Sequence, residues 1–302
     1  MWDKLQADAS LAERRTQVAE FNARHRWRKR GLAAVPTMYG INFPVAWLNQ
    51  GSALVHVYTD GTVLVSHGGT EMGQGLNTKM IQIAAQCFGI SVEKVHVAES
   101  ASDKCANSPP TAASVGSDIH GMAVLNACEK IKARLAPFKA KHPDWDFHAL
   151  CEAAWFESID MEATGFYSTP RGASYDFDLE TKDNSERGEM WNYYAFGVAA
   201  AEVELDVLTG EYSVERADVI MDVGETLSAA IDIGQVEGAF VQGMGLFTTE
   251  ELVWGDSEHP WLPQGLLSNA GPHYGIPTTA DIPKDFRVRL WADSPNEFAV
   301  HS

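Results

Sequence analysis

The stretch His67-Gly68-Gly69-Thr70-Glu71-Met72-Gly73-Gln74-Gly75, with the run Leu76 to Phe88 behind it, constrains this chain more than any other part. Ahead of it, Ala53 to Ser66 reads as two alternating apolar segments joined at Thr59-Asp60-Gly61-Thr62. An Asp-Gly pair between alternating runs is the strongest short-range signal for a β-hairpin. Behind it, Leu76, Met80, Ile83, Ala84 and Cys87 recur at helical spacing, which predicts a helix with one apolar face anchored in a core. The glycines therefore fall where a strand ends and a helix begins. First-turn N–H groups have no intrahelical partner and glycine permits close approach, so this turn is expected to form an anion cradle, with the Gln74 amide at the same point. A plain tight turn uses the same residue types, and the glycines alone do not separate the two readings.

At 302 residues and 45% hydrophobic, the chain can bury one large or two modest cores. A formal net charge of −18 argues against a nucleic-acid partner and against an anionic membrane surface, since both would be repelled. No apolar run reaches spanning length, and Met1-Trp2-Asp3-Lys4 lacks the basic-then-apolar pattern of a secretory leader. A cytoplasmic protein is expected, with a peroxisomal location as the alternative. The four cysteines, Cys87, Cys105, Cys128 and Cys151, form no pair at a spacing that holds zinc or an iron–sulfur cluster. Cys87 and Cys128 fall within helical patterns and read as small core residues. No two histidines stand at a His-Glu-x-x-His spacing, so each reads as structural.

Ser10-Leu11-Ala12-Glu13 has the form of a capping box and predicts a helix to about Asn22, with Leu11 and Val18 inward. The basic residues Arg24, Arg26, Arg28, Lys29 and Arg30 follow, interrupted by histidine and tryptophan, and suit a solvated turn or an acidic surface. From Leu32 to Gly51 the chain reads as extended, with Pro36 and Pro44 confining it to edges or loops. Val92 to Glu99 predicts a strand. Thr111-Ala112-Ala113-Ser114-Val115-Gly116-Ser117-Asp118 opens a second helix, carrying Ile119, Met122, Ala123, Ala127, Ile131 and Leu135 and ending at Pro137. A short helix around Phe147 to Phe156 and an acidic surface connection come next. Val198 to Asp206 and Tyr212 to Met221 then form a second hairpin. Ile233, Val236, Phe240, Met244 and Phe247 step by three or four and predict a third helix despite Gly238, Gly243 and Gly245, which close approach would explain. Asp285 to Ala292 reads as a last strand. The order of hairpin, Gly-Gln turn and helix occurs twice, which suggests a loose pseudo-repeat presenting Gln74 and Gln235 to one cleft. Two α+β lobes are expected, roughly 1–140 and 190–302, joined by 141–189.

The phrase Gly-Gly-Thr-Glu-Met-Gly-Gln-Gly followed by Leu-Asn-Thr-Lys-Met resembles the molybdopterin-binding segment of the molybdenum hydroxylases, xanthine dehydrogenase and aldehyde oxidase. Pro110-Thr111-Ala112-Ala113-Ser114 resembles the xanthine dehydrogenase branch, as do Phe43 and Asn49-Gln50. The resemblance spans essentially the whole chain and implies an α+β molybdopterin-binding domain, built of β-hairpins and mixed sheets packed with helices. It implies cofactor contacts from Gln74, Thr111, Ala112, Ala113, Ser114 and Gln235, and a purine-packing role for Phe43, with an ordinary buried aromatic as the lesser alternative. Molybdenum would be held by the pterin dithiolene with no protein ligand, and the cofactor would carry the hard chemistry. The implied parent enzyme converts hypoxanthine and xanthine to urate. It passes electrons through 2Fe–2S clusters and FAD to NAD, works as a homodimer, and includes an upstream molybdopterin-binding region. The family's general-base glutamate, in a Gly-Glu-Pro-Pro phrase, is expected about five residues past Ser302, so no catalytic residue is assigned here and the isolated chain is expected to be inactive. Pro44 stands where a threonine is usual, and Gly116 where a hydroxyl residue is usual. An aldehyde oxidase, or an inert cofactor-binding or assembly module, is the alternative.

Overall fold

A computed structural model describes residues 1–169, 175–265, 267–268, 274–293, 296–297 and 299. The chain divides into two compact units, one of Met1–Met38, Phe196–Val223 and Ala229–Pro295, the other of Tyr39–Ala195, Gly224–Ser228 and Asn296–Ser302. The expected lobes were cut differently. Residues 1–38 belong with the second hairpin, and 141–169 belong with the first.

In the first unit, helices α1 (Trp2–Asp8) and α2 (Leu11–Arg24) precede the long strand β1 (Arg28–Ile41). Leu11 is buried as expected, but the capping box does not form. Ser10 sits at φ 49° with no side-chain cap, and Glu13 accepts from Gln17 instead.

The second unit is built on a four-stranded sheet. Strands β2 (Gln50–Val57) and β3 (Val63–His67) form the expected antiparallel hairpin, Val55 opposite Val65. The crossover helix α3 (Leu76–Phe88) then leads to β4 (Val95–Val97), which runs parallel to β3. Only Val95–Val97, the middle of the expected strand, forms, and Val92–Lys94 is a 3₁₀ turn. The long helix α4 (Gly116–Lys141) covers the sheet and continues through Pro137 rather than stopping there. After α5 (Phe147–Phe156), β5 (Glu162–Ser168) returns antiparallel beside β2, giving the order β4-β3-β2-β5. The sequence hid β5 because its inward positions are Ala163 and Gly165 while Phe166 faces out. A Cβ on Gly165 would lie 1.8 Å from the Ala123 carbonyl, so α4 packs directly on this strand's backbone.

Back in the first unit, β6 (Tyr193–Asp206) and β7 (Tyr212–Met221) pair antiparallel. The helix α6 (Ala229–Thr248) crosses over to β8 (Asp285–Leu290), which runs parallel to β7, giving the order β1-β6-β7-β8. β1 is an edge strand, as Pro36 requires. The basic run faces acidic strands: Arg30 Nε is 2.8 Å from Glu204 Oε2, Arg28 also pairs with Glu204, and buried Arg14 bridges Glu202 (2.9 Å) and Asp218 (3.0 Å). Among the described residues no helix is long and apolar enough to cross a membrane.

Candidate cofactor site

The site grows from the end of β3. Gly68 and Gly69 are packing glycines: a Cβ on the first would lie 2.0 Å from Ser108 Oγ, and on the second 2.5 Å from Leu76 Cδ2 and 2.7 Å from His120 Cδ2. Gly73 and Gly75 serve the backbone instead, at φ 99° and 77°. The expected anion cradle exists, but the chain fills it itself. The Glu71 carboxylate accepts from the amides of Gly73 (2.9 Å), Gly75 (3.0 Å) and Asn77 (2.9 Å). Burial alone would raise the Glu71 pKa; these amides outweigh it and hold the carboxyl below its ordinary value. A phosphate at this helix start would have to displace a carboxylate with three hydrogen bonds, so a ligand anion is not expected there. A glutamate just ahead of a helix start was the signal available in the sequence.

Gln74 also braces the turn. Its Nε2 donates to the Thr70 carbonyl at 2.8 Å and its Oε1 accepts from the Met72 amide at 2.6 Å. An amide side chain has two N–H groups and two lone pairs, so each end of the half-buried Gln74 retains capacity. The side chain is thereby oriented rather than consumed.

Two hydrogen bonds draw three loops together. Thr70 N donates to Thr111 Oγ1 at 2.9 Å, joining the Gly-Gln turn to the loop before α4. Asn42 N donates to the Ala113 carbonyl at 3.0 Å, joining that loop to the one carrying Phe43. Phe43 is itself clamped by fully buried Asn49, whose Oδ1 accepts from Phe43 N (2.9 Å) and whose Nδ2 donates to Phe43 O (2.8 Å). Phe43 as a whole is only half-buried, unlike a core aromatic.

Ala113 and Ser114 occupy the left-handed region in succession, at φ 58° and 51°, and Asn42 lies at φ 110°. Such conformations are costly for residues with a Cβ and persist where surrounding structure imposes them, characteristically at ligand sites. The amides of Ala112, Ala113 and Ser114 donate to no acceptor among the described residues. Among the described residues, Asn42 Oδ1 is buried without a hydrogen-bond partner. Three spare backbone donors at the start of a 26-residue helix, beside Gln74, suit the acceptor atoms and negative charge of a large polar cofactor. The residues present therefore fit the pterin that the sequence implied. At Gly116 an added Cβ would come no nearer than 3.8 Å to any neighbour, so the usual hydroxyl residue would find room there.

The histidines around the site are structural. His67 Nδ1 accepts from Gly69 N (3.2 Å) and Nε2 meets Asn77 Oδ1 (2.8 Å), and burial lowers its pKa. His120 is pushed down to about 4, chiefly by burial. Asp118, which sequence reasoning placed only in a helix opening, receives the Tyr193 hydroxyl on both oxygens at 3.2 Å. Burial pushes it up to about 7 against that hydrogen bond. All four cysteines are buried and free, and among the described residues no group of three or more His, Cys, Asp or Glu could hold a metal ion.

Gln74, Thr111, Ala112, Ala113, Ser114 and Phe43 are thus gathered within the second unit. Gln235 lies inside α6 of the first unit, whereas Gln74 precedes α3, so the two glutamines are not at equivalent positions in the repeat. Among the described residues, close approach does not explain the α6 glycines in general: a Cβ would meet nothing within 4 Å at Gly234, Gly238 or Gly243, and Gly245 alone is tight, at 2.1 Å from Glu250 Oε1.

Residues 4–283 match the model of the molybdopterin cofactor-binding domain, and the chain belongs to that family. Its relatives include xanthine dehydrogenase 2 of Arabidopsis thaliana, 47% identical over the whole chain, and xanthine dehydrogenase of Drosophila subobscura, 51% identical over 96% of it. The chain spans only 22% and 21% of those relatives' lengths. Among solved structures, the aldehyde oxidoreductase of Desulfovibrio gigas shares the fold with a TM-score of 0.77 at 21% identity, covering 99% of this chain and 30% of that one. Quinoline 2-oxidoreductase of Pseudomonas putida 86 follows at 0.75 and 22%, covering 99% of this chain and 39% of that one. The α+β class expected from the sequence is the one observed.

Proposed function

We propose that this chain provides pterin contacts and one wall of the purine pocket in a xanthine dehydrogenase acting on hypoxanthine and xanthine. The observation that carries this reading is the meeting of the Phe43, Gln74 and Thr111–Ser114 loops through the Asn42–Ala113 and Thr70–Thr111 hydrogen bonds. In it, the amides of Ala112, Ala113 and Ser114 and the side chain of Gln74 hold the cofactor's polar edge, and the resemblance adds Gln235. When bound, the molybdenum-pterin group supplies the two-electron oxidation of a ring carbon. Phe43, fixed at its backbone by Asn49, orients a planar heterocycle by ring contact. Glu71 is already committed to three amides, so it is not offered as a base, and the chain alone is expected to turn over no purine. The 2Fe–2S, FAD and NAD electron path, a homodimeric parent, the upstream molybdopterin region and a cytoplasmic or peroxisomal location belong to the same reading. Identities of 46–51% with xanthine dehydrogenases support it over an aldehyde oxidase.

The test is metal and pterin analysis of the complete gene product, with hypoxanthine, xanthine and an aromatic aldehyde compared as substrates. Molybdenum with preferential purine turnover is the expected result, and preferential aldehyde turnover would replace the purine assignment. Gln74→Ala should lower cofactor content. Phe43→Ala should leave content intact and raise KM for xanthine.

A further inference from the structure

Away from those loops, the second unit holds a cavity of about 670 Å³ between the C-terminal ends of α3 and α4 and the start of α5. We propose that it binds an amphiphilic monocarboxylate, an alkyl or aryl chain with one anionic head. Its size falls within the usual range for small-molecule pockets, and its interior is apolar, formed by Phe88, Leu135, Trp145 and Phe147. The aromatic wall is fixed in advance. Phe88 and Phe147 lie 5.0 Å apart between ring centres, and Trp145 stacks on His142 at 3.7 Å.

The polar side of the cavity carries Lys94, Lys132 and Lys139, against a single lining carboxylate, Asp146. Asp146 is committed to capping α5 through the Ala149 amide at 2.8 Å. Lys139 is held by the Trp145 carbonyl (2.6 Å) and Lys132 by Glu129 (3.2 Å), whereas the Lys94 ammonium makes no hydrogen bond or ion pair among the described residues. In a chain of net charge −18, three lysines around one apolar hollow reverse the prevailing sign. An apolar chain would fill the hollow while its carboxylate meets Lys94, a pairing that discriminates against neutral and cationic amphiphiles.

A reporter is built in, because Cys87 also lines the cavity. A hydrogen bond involving Cys128 lowers the Cys87 pKa, and Cys87 Sγ donates to Glu129 at 3.3 Å. Occupancy should therefore slow its alkylation.

The experiment titrates the 302-residue chain with dodecanoate, dodecanol and dodecylamine, reading heat and the rate of Cys87 alkylation by peptide mass spectrometry. Dodecanoate should bind most tightly and protect Cys87. Lys94→Glu should weaken it about tenfold, with dodecanol unaffected. Ala136→Trp, placed on the exposed lining of α4, should fill the space and abolish binding of both while α4 stays folded by circular dichroism. Equal affinities for the three amphiphiles, no effect of Lys94→Glu, or unprotected Cys87 would overturn the proposal. So would a complete gene product in which another protein segment occupies the hollow and dodecanoate no longer binds.

Discussion

The two units share one plan and are held together by different forces. Each has an antiparallel hairpin, a crossover helix and a strand parallel to the hairpin's second arm, β2-β3-α3-β4 in one and β6-β7-α6-β8 in the other. Each adds one strand beside the hairpin's first arm, β5 following in sequence and β1 preceding. The suspected repeat is therefore a repeat of topology. The second unit rests on a continuous apolar core in which Val55, Val65, Met80, Ala127 and Ile131 are fully buried. The first has a smaller apolar cluster around Leu5, Leu11, Val198 and Ile220, supplemented by the buried charges of Arg14, Glu202 and Asp218. Because burial of apolar area is non-directional while a buried ion pair fails when one partner is lost, the two should respond to different substitutions.

The largest effect is expected at Arg14. Arg14→Ala leaves Glu202 and Asp218 buried with less compensation and should cost about 3–5 kcal/mol, with lost amide exchange protection concentrated in β6 and β7. Arg14→Met should cost less, because its stem still packs. Next is Met80→Ala in the second unit, at about 2–5 kcal/mol, with lost protection in α3 and α4. If denaturant titration with site-resolved exchange shows either variant opening both units equally, the energetic contrast fails. Glu71→Ala is milder, at about 1–2 kcal/mol for a lost helix-start cap, and should also lower pterin content by freeing the turn that orients Gln74.

The smallest effect is the pH dependence that His120, His67 and Asp118 give the second unit. His120 has an ordinary value of 6.5 and about 4 when folded, so as pH falls through that window the unfolded chain takes up the proton and stability is lost. His67, also lowered by burial, adds to this loss. Asp118 has an ordinary value of 3.8 and about 7 when folded, so over an overlapping window the folded chain holds the extra proton and stability is gained as pH falls. Asp118 should therefore offset only part of the histidines' loss between about pH 4 and 6.5. Asp118→Asn should steepen the fall in stability on acidification, and His120→Asn should lessen it. Unchanged slopes in urea titrations across that range would show these two groups to be uncoupled from folding.

Much of the frame could be read from the chain. Both hairpins and the helices α3 and α4 announced themselves by period, because each buries one face of ordinary apolar side chains; α6 forms as its period predicts, but of the expected inward face only Val236 is buried and Phe247 is 86% exposed. The strand β5 did not, since its inward residues are small and its large Phe166 is exposed, which inverts the expected pattern. The site was legible as a set of residue types around Gln74 and Ser114. The sequence did not reveal that Glu71 occupies the amides expected to receive a ligand anion. Nor did it show that Asn42 and Asn49 fix the Phe43 loop.

Period and turn chemistry act between near neighbours, so the sequence alone determined both hairpins, the helices α3, α4 and α6, and which loops carry donor-rich small residues, but not β5. Pairings across the chain, such as Thr70 with Thr111, Asn42 with Ala113 and Arg14 with Glu202, rest on contacts between residues far apart in sequence. Only the folded arrangement decides which donors those contacts consume and which remain for a ligand, because a hydrogen-bonding group spent on the chain itself looks the same in sequence as one left open.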